Sequence, residues 1–295
     1  MLRELKTFVA VARHGTFAAA GQRIGLTQSA VSAQMRVLEQ ALGQRLFDRS
    51  GRSAMLNAAG RHALPLAEQM LALYAEMVSP AGELRGELRV GAIASVQTGL
   101  LPQVLPRFRQ QAPAVELKLV PGVSLDLLSQ VDAGELDLAL LIKPPFELPK
   151  ELQQLPLARE PFVLIAPESM SGGEPLQLLA TQPFVRYDRS SFGGRQVEHF
   201  LRAQRVQVDE SLELDELEAI VRMVEAGLGV SLIPLAGLWR EHGARVRVIE
   251  LGELTFHREL IALVRRAQRQ PALDCLLECL GAEPCSAIGT AASYR

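Results

Sequence analysis

Within ten residues the chain places Thr27, Gln28, Ser29, Ser32, Ala33 and Arg36. Wound at about 100° per residue, this stretch sets Ser29, Ser32, Ala33 and Arg36 on one side of a helix and Val31, Met35, Leu38 and Leu42 on the other. The apolar set reads as core; the polar set is free to enter a groove. Hydroxyl, amide and guanidinium groups hydrogen-bond phosphate oxygens and base edges, and the N-terminal residues of a reading helix approach the bases most closely, which brings in Gln28. The chemistry on offer is recognition of double-stranded DNA. An ordinary amphipathic helix with a solvated polar face has the same periodicity, so charge decides between the two. Residues 1 to 60 carry eight Lys or Arg against three acids, a net +5, while the whole chain is −2 and the remainder therefore −7. Such segregation of sign marks a local polyanion-binding face.

A reading helix has to be held by others. Leu5, Phe8, Val9 and Val11 fall mostly on one face of a first helix that Gly15 stops. A short second helix runs from Thr16 or Phe17 to about Ile24, Gly25 turns the chain, and the third helix begins near Thr27, whose hydroxyl is placed to cap it. From about Ala58 to Met77 the pattern turns to one long helix with Leu64, Leu71, Tyr74, Met77 and Val78 as an apolar stripe, Pro65 near its first turns, and Pro80 and Gly82 at its end. A small domain cannot bury such a stripe alone. It is covered either by a second copy or by the helix folding back on the C-terminal domain of its own chain.

The pattern resembles the DNA-binding domain of LysR-type transcriptional regulators, a winged helix-turn-helix. Gln28, Ser32, Leu38 and Glu39 stand where that family shows Q, S and LE, and Gly43, Leu46, Phe47, Arg49, Arg52, Leu56, Ala59 and Gly60 continue its G..LF.R..R...LT.AG stretch. Two positions depart: Asn57 replaces the usual Thr, and Ala33 sits where many relatives carry a longer polar side chain. The resemblance implies a wing that gives basic contacts to the DNA backbone, with Arg49 and Arg52 touching phosphate; a surface ion pair with Asp48 is the other reading of these arginines. It also implies that the long helix is an antiparallel dimerisation element. The implied partners are double-stranded DNA, a small-molecule effector, further copies of the chain in a homotetramer (a dimer of dimers), and RNA polymerase.

At 295 residues, with 48% hydrophobic and 22% charged residues, the chain is globular and long enough for more than one domain. No apolar run approaches a membrane span and the N-terminus enters a helix without a signal peptide, so a cytoplasmic protein is expected. Cys275, Cys279 and Cys285 lie near the C-terminus with no nearby His to complete a metal set. Peroxide-sensing members of the family use a cysteine pair in the middle of the effector domain, and nothing comparable stands there in this sequence. These thiols read as small apolar residues, a redox role being the lesser reading.

From Gly86 onward the rhythm is strand, helix, strand: ELRVGAI, LLPQVLPRFRQQAP, VELKLVPG, SLDLLSQVDAG and ELDLALLI. It resumes after FVLIAP with QPFVRYD, RQVEHFLRAQ, ESLELDELEAIVRMVEAGLGVSLIP, VRVIEL and RELIALVRR. This α/β succession predicts parallel sheets with helices on their faces, in two lobes with the chain crossing near residues 160 to 164 and again near 265 to 269. The expected layout is a DNA-binding domain over residues 1 to 58, a linker helix and hinge over 59 to 86, and a bilobal effector domain over 87 to 295. Lobe I takes about 87 to 162 and 268 to 295, and lobe II about 163 to 267. LLP..L..F....P.V.L.L..G, G.LDLAL and V.AGLGVSLIP resemble LysR-type effector domains, whose lobes are similar to those of periplasmic binding proteins.

In such sheets a ligand lies beyond the carboxyl ends of the strands, where helix N-termini present unpaired amides. Four turns qualify: Ser95, Gln97 and Thr98 after the first strand, Ser124 after the second, Tyr187 to Ser191 in the second lobe, and Asp215. Thr98 and Ser124 also read as plain N-caps, and Asp215 with Glu218 as a capping pair. Arg186 reads equally as a carboxylate holder and as a surface residue. The expected ligand is a small polar or anionic metabolite. No cofactor, metal site or catalytic residue is expected: the five histidines lack ligand spacing, no glycine-rich phosphate loop follows a strand, and no G-x-S-x-G elbow is present. The competing readings are a solute receptor, a DNA-binding protein whose second half serves only assembly, and a redox-responsive regulator.

Overall fold

The computed structural model describes residues 1–48, 54–78, 84–170, 172–237, 239, 243–267 and 270–282. Residues 1–85 and 86–295 form two compact units.

The first unit is helical: α1 (Leu2–His14), α2 (Phe17–Ile24), α3 (Gln28–Leu42) and α4 (Ala58–Val78). Its core gathers Phe8, Val11, Ala20, Val31, Leu38 and Leu46 at full burial. Phe47 packs edge-on to Phe8 and Phe17, with ring centroids 5.6 and 5.5 Å apart. Thr16 and Thr27 cap α2 and α3, accepting from the amides of Ala19 and Ala30. The turn between those helices is tight. Leu26 N–H donates to the Gly21 carbonyl, and a Cβ at Gly21 would stand 2.5 Å from the Leu26 oxygen. After α3, Phe47 and Leu56 form a single antiparallel bridge at the base of the wing.

Asn57 then starts α4. Its Oδ1 accepts from Gly60 N–H at 2.8 Å while its Nδ2 donates to the Arg45 carbonyl at 3.0 Å. Asn at this position therefore caps a helix, as a threonine would, and adds a donor that ties the helix to the preceding loop. Two core expectations need correction. Leu42 is 43% exposed because α3 runs out past the core at its last turn. The expected stripe on α4 also divides: Leu64 and Leu71 turn inward with Ala67 against the first unit's own core, whereas Tyr74 and Met77 face solvent. The side chain of Val78, with Pro80 and Gly82, lies outside the described residues.

In the second unit, β1 (Arg85–Ala92), α5 (Ala94–Thr98), α6 (Leu100–Gln111), β2 (Ala114–Pro121), α7 (Ser124–Asp132) and β3 (Leu138–Ile142) build one lobe. β4 (Leu152–Pro167) then runs for 16 residues into the other lobe, made of α8 (Pro175–Thr181), β5 (Pro183–Tyr187), α9 (Phe192–Ala203), β6 (Asp209–Leu214), α10 (Leu217–Glu225), β7 (Ser231–Pro234) and β8 (Val246–Ile249). β9 (His257–Arg265) returns to the first lobe and α11 (Pro271–Cys279) packs there on α6.

Among the described residues the strand order is β2-β1-β3-β9-β4-β7, with β8 also on β4 and a separate β5-β6 pair. The sheet is mixed, which corrects the expectation of all-parallel strands: β1 and β3 are parallel, as are β5 and β6, but β9 lies antiparallel between β3 and β4. A returning chain that enters from the other lobe meets β3 head to tail, so only the antiparallel pairing is open to it. The second crossing accordingly comes at the start of β9, where Arg258 stands opposite Glu160 of β4 in the strand register, and not near residues 265 to 269. RELIALVRR forms β9 as its pattern predicts, with β3 and β4 as antiparallel partners, whereas the first half of β4 lies outside the strands expected from the sequence.

Candidate nucleic-acid interface and effector crevice

In the first unit α3 presents Thr27, Gln28, Ser29, Ala33 and Arg36 exposed, with Ser32 half-buried, while Val31, Met35 and Leu38 anchor the opposite side. Thr27 and Ser29 share a hydroxyl contact of 3.0 Å at the cap. Among the described residues no side chain engages Gln28, Ser32 or Arg36. The helix is held by polar contacts on its other faces: Thr7 donates to Gln34 Oε1 at 2.5 Å, and Glu39 accepts from Leu46 N–H at 2.8 Å. Glu39 thus fixes the loop after the helix and is not on the reading face. Val37, 55% exposed beside Arg36, extends that face with an apolar group of the kind that meets a thymine methyl. Arg49 and Arg52 lie outside the described residues.

The second unit holds a crevice of about 300 Å³, at the lower end of the ~300–1,000 Å³ usual for small-molecule sites. Ser95 and Gln97 of α5, Ser124 at the start of α7, Tyr187 and Ser191 before α9, and Asp215 before α10 all line it. Four turns from distant stretches of chain therefore meet around one cavity. Thr98 is not among the lining residues, a correction: it is the last residue of its short helix and its hydroxyl donates back to the Ala94 carbonyl at 3.2 Å. Asp215 does not cap α10 either. Glu216 holds the cap position without a side-chain bond, and Glu218 accepts instead from Trp239 N–H at 3.1 Å.

Arg258 is the residue that the sequence reading missed. Its side chain is 1% exposed, yet it lines the crevice, donating from Nε to Glu160 at 2.5 Å and from Nη2 to the Ser95 hydroxyl at 2.9 Å. A guanidinium so buried stands only because it is paired. Its signal in the sequence was an arginine just ahead of an apolar run, in FHRELIALV. Ser95 and Ser124 both accept bonds, the latter from Ile142 N–H at 3.2 Å, so each keeps its hydroxyl proton to give. Gln97 spends an amide proton on the Ala92 carbonyl.

Across the cavity Tyr187 is fully packed. A Cβ at Gly193 would stand 2.5 Å from its ring, so only glycine fits beneath it. Burial pushes the Tyr187 phenol up, against the opposing influence of Arg258 and Ser191. Burial also raises Asp215, reinforced by the neighbouring Asp188 and offset by Ser191 and Arg258; Glu216 is raised by burial and by Asp215. Arg186 faces none of this. It is 1% exposed and paired with Glu198 and Glu210 on α9 and β6, a structural network.

Cys275 and Cys279 sit one turn apart on α11, both donating to Gln111 Oε1 at 3.3 Å, and neither lines the crevice. Burial pushes the Cys275 thiol up, which disfavours the reactive thiolate. Cys285 lies outside the described residues. Among the described residues no group of three His, Cys, Asp or Glu is placed to hold a metal ion, and no helix is long and apolar enough to cross a membrane.

The family model for the bacterial regulatory helix-turn-helix protein of the lysR family matches residues 2–61, and that for the LysR substrate binding domain matches residues 81–284. Among similar proteins, the HTH-type transcriptional regulator IlvR of Caulobacter vibrioides is 32% identical over 285 residues, covering 94% of this chain and 96% of that one. The RuBisCO operon transcriptional regulator of Allochromatium vinosum is 29% identical over 288 residues, covering 94% of each. Among solved structures, a full-length OxyR variant from Pseudomonas aeruginosa superposes with a TM-score of 0.72 at 24% identity, covering 95% of this chain and 94% of the other. CbnR superposes with a TM-score of 0.55 at 23% identity, covering 95% and 99%.

Proposed function

The chain belongs to the LysR family of DNA-binding transcriptional regulators, with an effector-binding domain of that family behind its helix-turn-helix, and from that premise we propose which residues do the work. Gln28 and Ser32 read base edges from the N-terminal half of α3, with Thr27, Ser29, Ala33 and Arg36 completing the face and Arg49 and Arg52 of the wing on phosphate. Their exposure, on a helix anchored from its other side, supports this.

On α4, Leu66, Met70, Leu73 and Met77 are each about half exposed or more and recur at helical spacing, which suits pairing of two copies through this helix. Effector domains pairing in turn would give a dimer of dimers. The protein works in the cytoplasm, with RNA polymerase as the final partner of the assembly, and acts as a binder rather than an enzyme.

The observation that carries the sensing role is the convergence of four turns and the buried Arg258 on one cavity. A small polar molecule bound there shifts the assembly only as far as it binds two arrangements of the lobes unequally. The test is a thermal-shift screen of polar metabolites on the full chain, followed by operator binding with and without each hit. Ser95→Ala should abolish the response and spare operator affinity. A hit whose binding and effect are unchanged in Ser95→Ala would place the ligand elsewhere, and a domain that binds nothing would leave assembly as its role.

A further inference from the structure

The charges around the crevice do not suit an anion alone. Its lining has one cation, Arg258, already neutralised by Glu160, and two carboxyls, Asp215 and Glu216. Asp215 sits beside Ser191 at this wall; burial and Asp188 work against its ionised form, Ser191 and Arg258 offset them in part, and among the described residues no salt bridge holds it. A monoanion would add like charge to this wall. The opposite wall has the reverse need. Ser95 and Ser124 each accept a bond and so keep a hydroxyl proton to give, and α7, whose first residue is Ser124, begins without a side-chain cap, so these groups ask for an acceptor. A simple amine would leave them unanswered. Ile93, Val123, Ile142 and Leu217 supply the apolar part of the lining.

Resting on the crevice reading above, we propose that the effector is a small zwitterion, an α-amino acid with an apolar side chain. Its carboxylate lies toward Ser95, Ser124 and the start of α7, and its ammonium group at Asp215. Both charged ends then find partners on opposite lobes, so one molecule spans the cavity and draws them together. The volume of about 300 Å³ admits an amino acid of leucine size.

The experiment is calorimetric titration of the full-length protein with the aliphatic and aromatic L-amino acids, and then with truncated forms of the best binder. For leucine these are 4-methylpentanoate, which lacks the ammonium group, and 3-methylbutylamine, which lacks the carboxylate. The expected result is that at least one amino acid binds and that each truncated form binds at least tenfold more weakly. Asp215→Asn should bring the amino acid down to the affinity of its carboxylate analogue and leave that analogue unaffected; a melting curve of the variant establishes that it is folded. Equal binding of 4-methylpentanoate and leucine, an Asp215→Asn protein that binds the amino acid as the parent does, or binding by none of the amino acids overturns the proposal. Ser95→Ala separates this from the wider reading. If carboxylates bind in a manner that depends on Ser95 but not on Asp215, the crevice stands and the zwitterion falls; if amino-acid binding is indifferent to both, the crevice itself is wrong.

Discussion

The reading face of α3 and the crevice of the second unit are built on opposite plans. The first takes all its groups from ten consecutive residues of one helix, so a single periodicity orders them and a single cap sets where the helix starts. The second takes its groups from residues as far apart as Ser95 and Arg258, and its shape depends on a strand that leaves one lobe and another that returns. A local site survives damage elsewhere in the fold, whereas an assembled one fails when any of its supports fails.

The sharpest way to break this comparison is Arg258→Ala. Removing the guanidinium leaves Glu160 without its partner at the crossing, which should cost roughly 3 kcal/mol of effector-domain stability. Urea unfolding should show that loss in the second unit, and ligand response should vanish with it. DNA affinity of the first unit should stay unchanged; a parallel loss of DNA binding would show that the two regions are not independent.

Next in size are Gln28→Ala and Ser32→Ala. Each should weaken specific DNA binding by about 1–3 kcal/mol if it reads a base, with little change on random DNA. Equal losses on specific and random sequences would remove that residue from base readout. Half-buried Ser32 is the better discriminator, since its hydroxyl has few other tasks.

Asn57→Ala should cost about 1 kcal/mol in the first unit through loss of the α4 cap. Asn57→Thr should recover most of that, keeping an acceptor for Gly60 while giving up the bond to Arg45. A full loss in Asn57→Thr, measured by thermal melting, would shift the weight from the cap to the Arg45 tie.

The smallest effect is expected at Asp215. Because burial raises its carboxyl in the folded protein, it favours folding below the unfolded value near ~3.9, and that contribution is lost as the pH rises through the folded value. Asp215→Asn should therefore raise the melting temperature slightly at pH 7 without ligand, with the gain disappearing in acid. A lower melting temperature at pH 7 would show that the Asp215 carboxylate gives net stability through its contacts with Ser191 and Arg258.

The α3 face was legible because its information is local: the 3.6-residue period, Thr27 as cap and Gly25 as turn all lie within one short window. The crevice was legible in part for the same reason. Turns after strands in an α/β pattern point to one edge of the sheet, and Ser95, Gln97, Ser124, Tyr187 and Asp215 reach it. Thr98 is not among the lining residues, its hydroxyl being turned back onto its own helix one residue further along α5. Arg258 was out of reach because its role is fixed by partners 98 and 163 residues away, and no spacing rule carries over such separations. The first half of β4, LQQLPLARE, hid as a strand because its buried residues, Leu152 and Leu155, are three apart rather than two.

Glu160 and Arg258 face each other across β4 and β9 where the chain passes between lobes, bound both by strand register and by charge. They tie the two crossing strands together at one point. The crevice shares this point, since Arg258 lines it and also reaches Ser95. A molecule that takes the Ser95 hydroxyl as its own partner therefore meets the same guanidinium that bridges the two strands at the crossing.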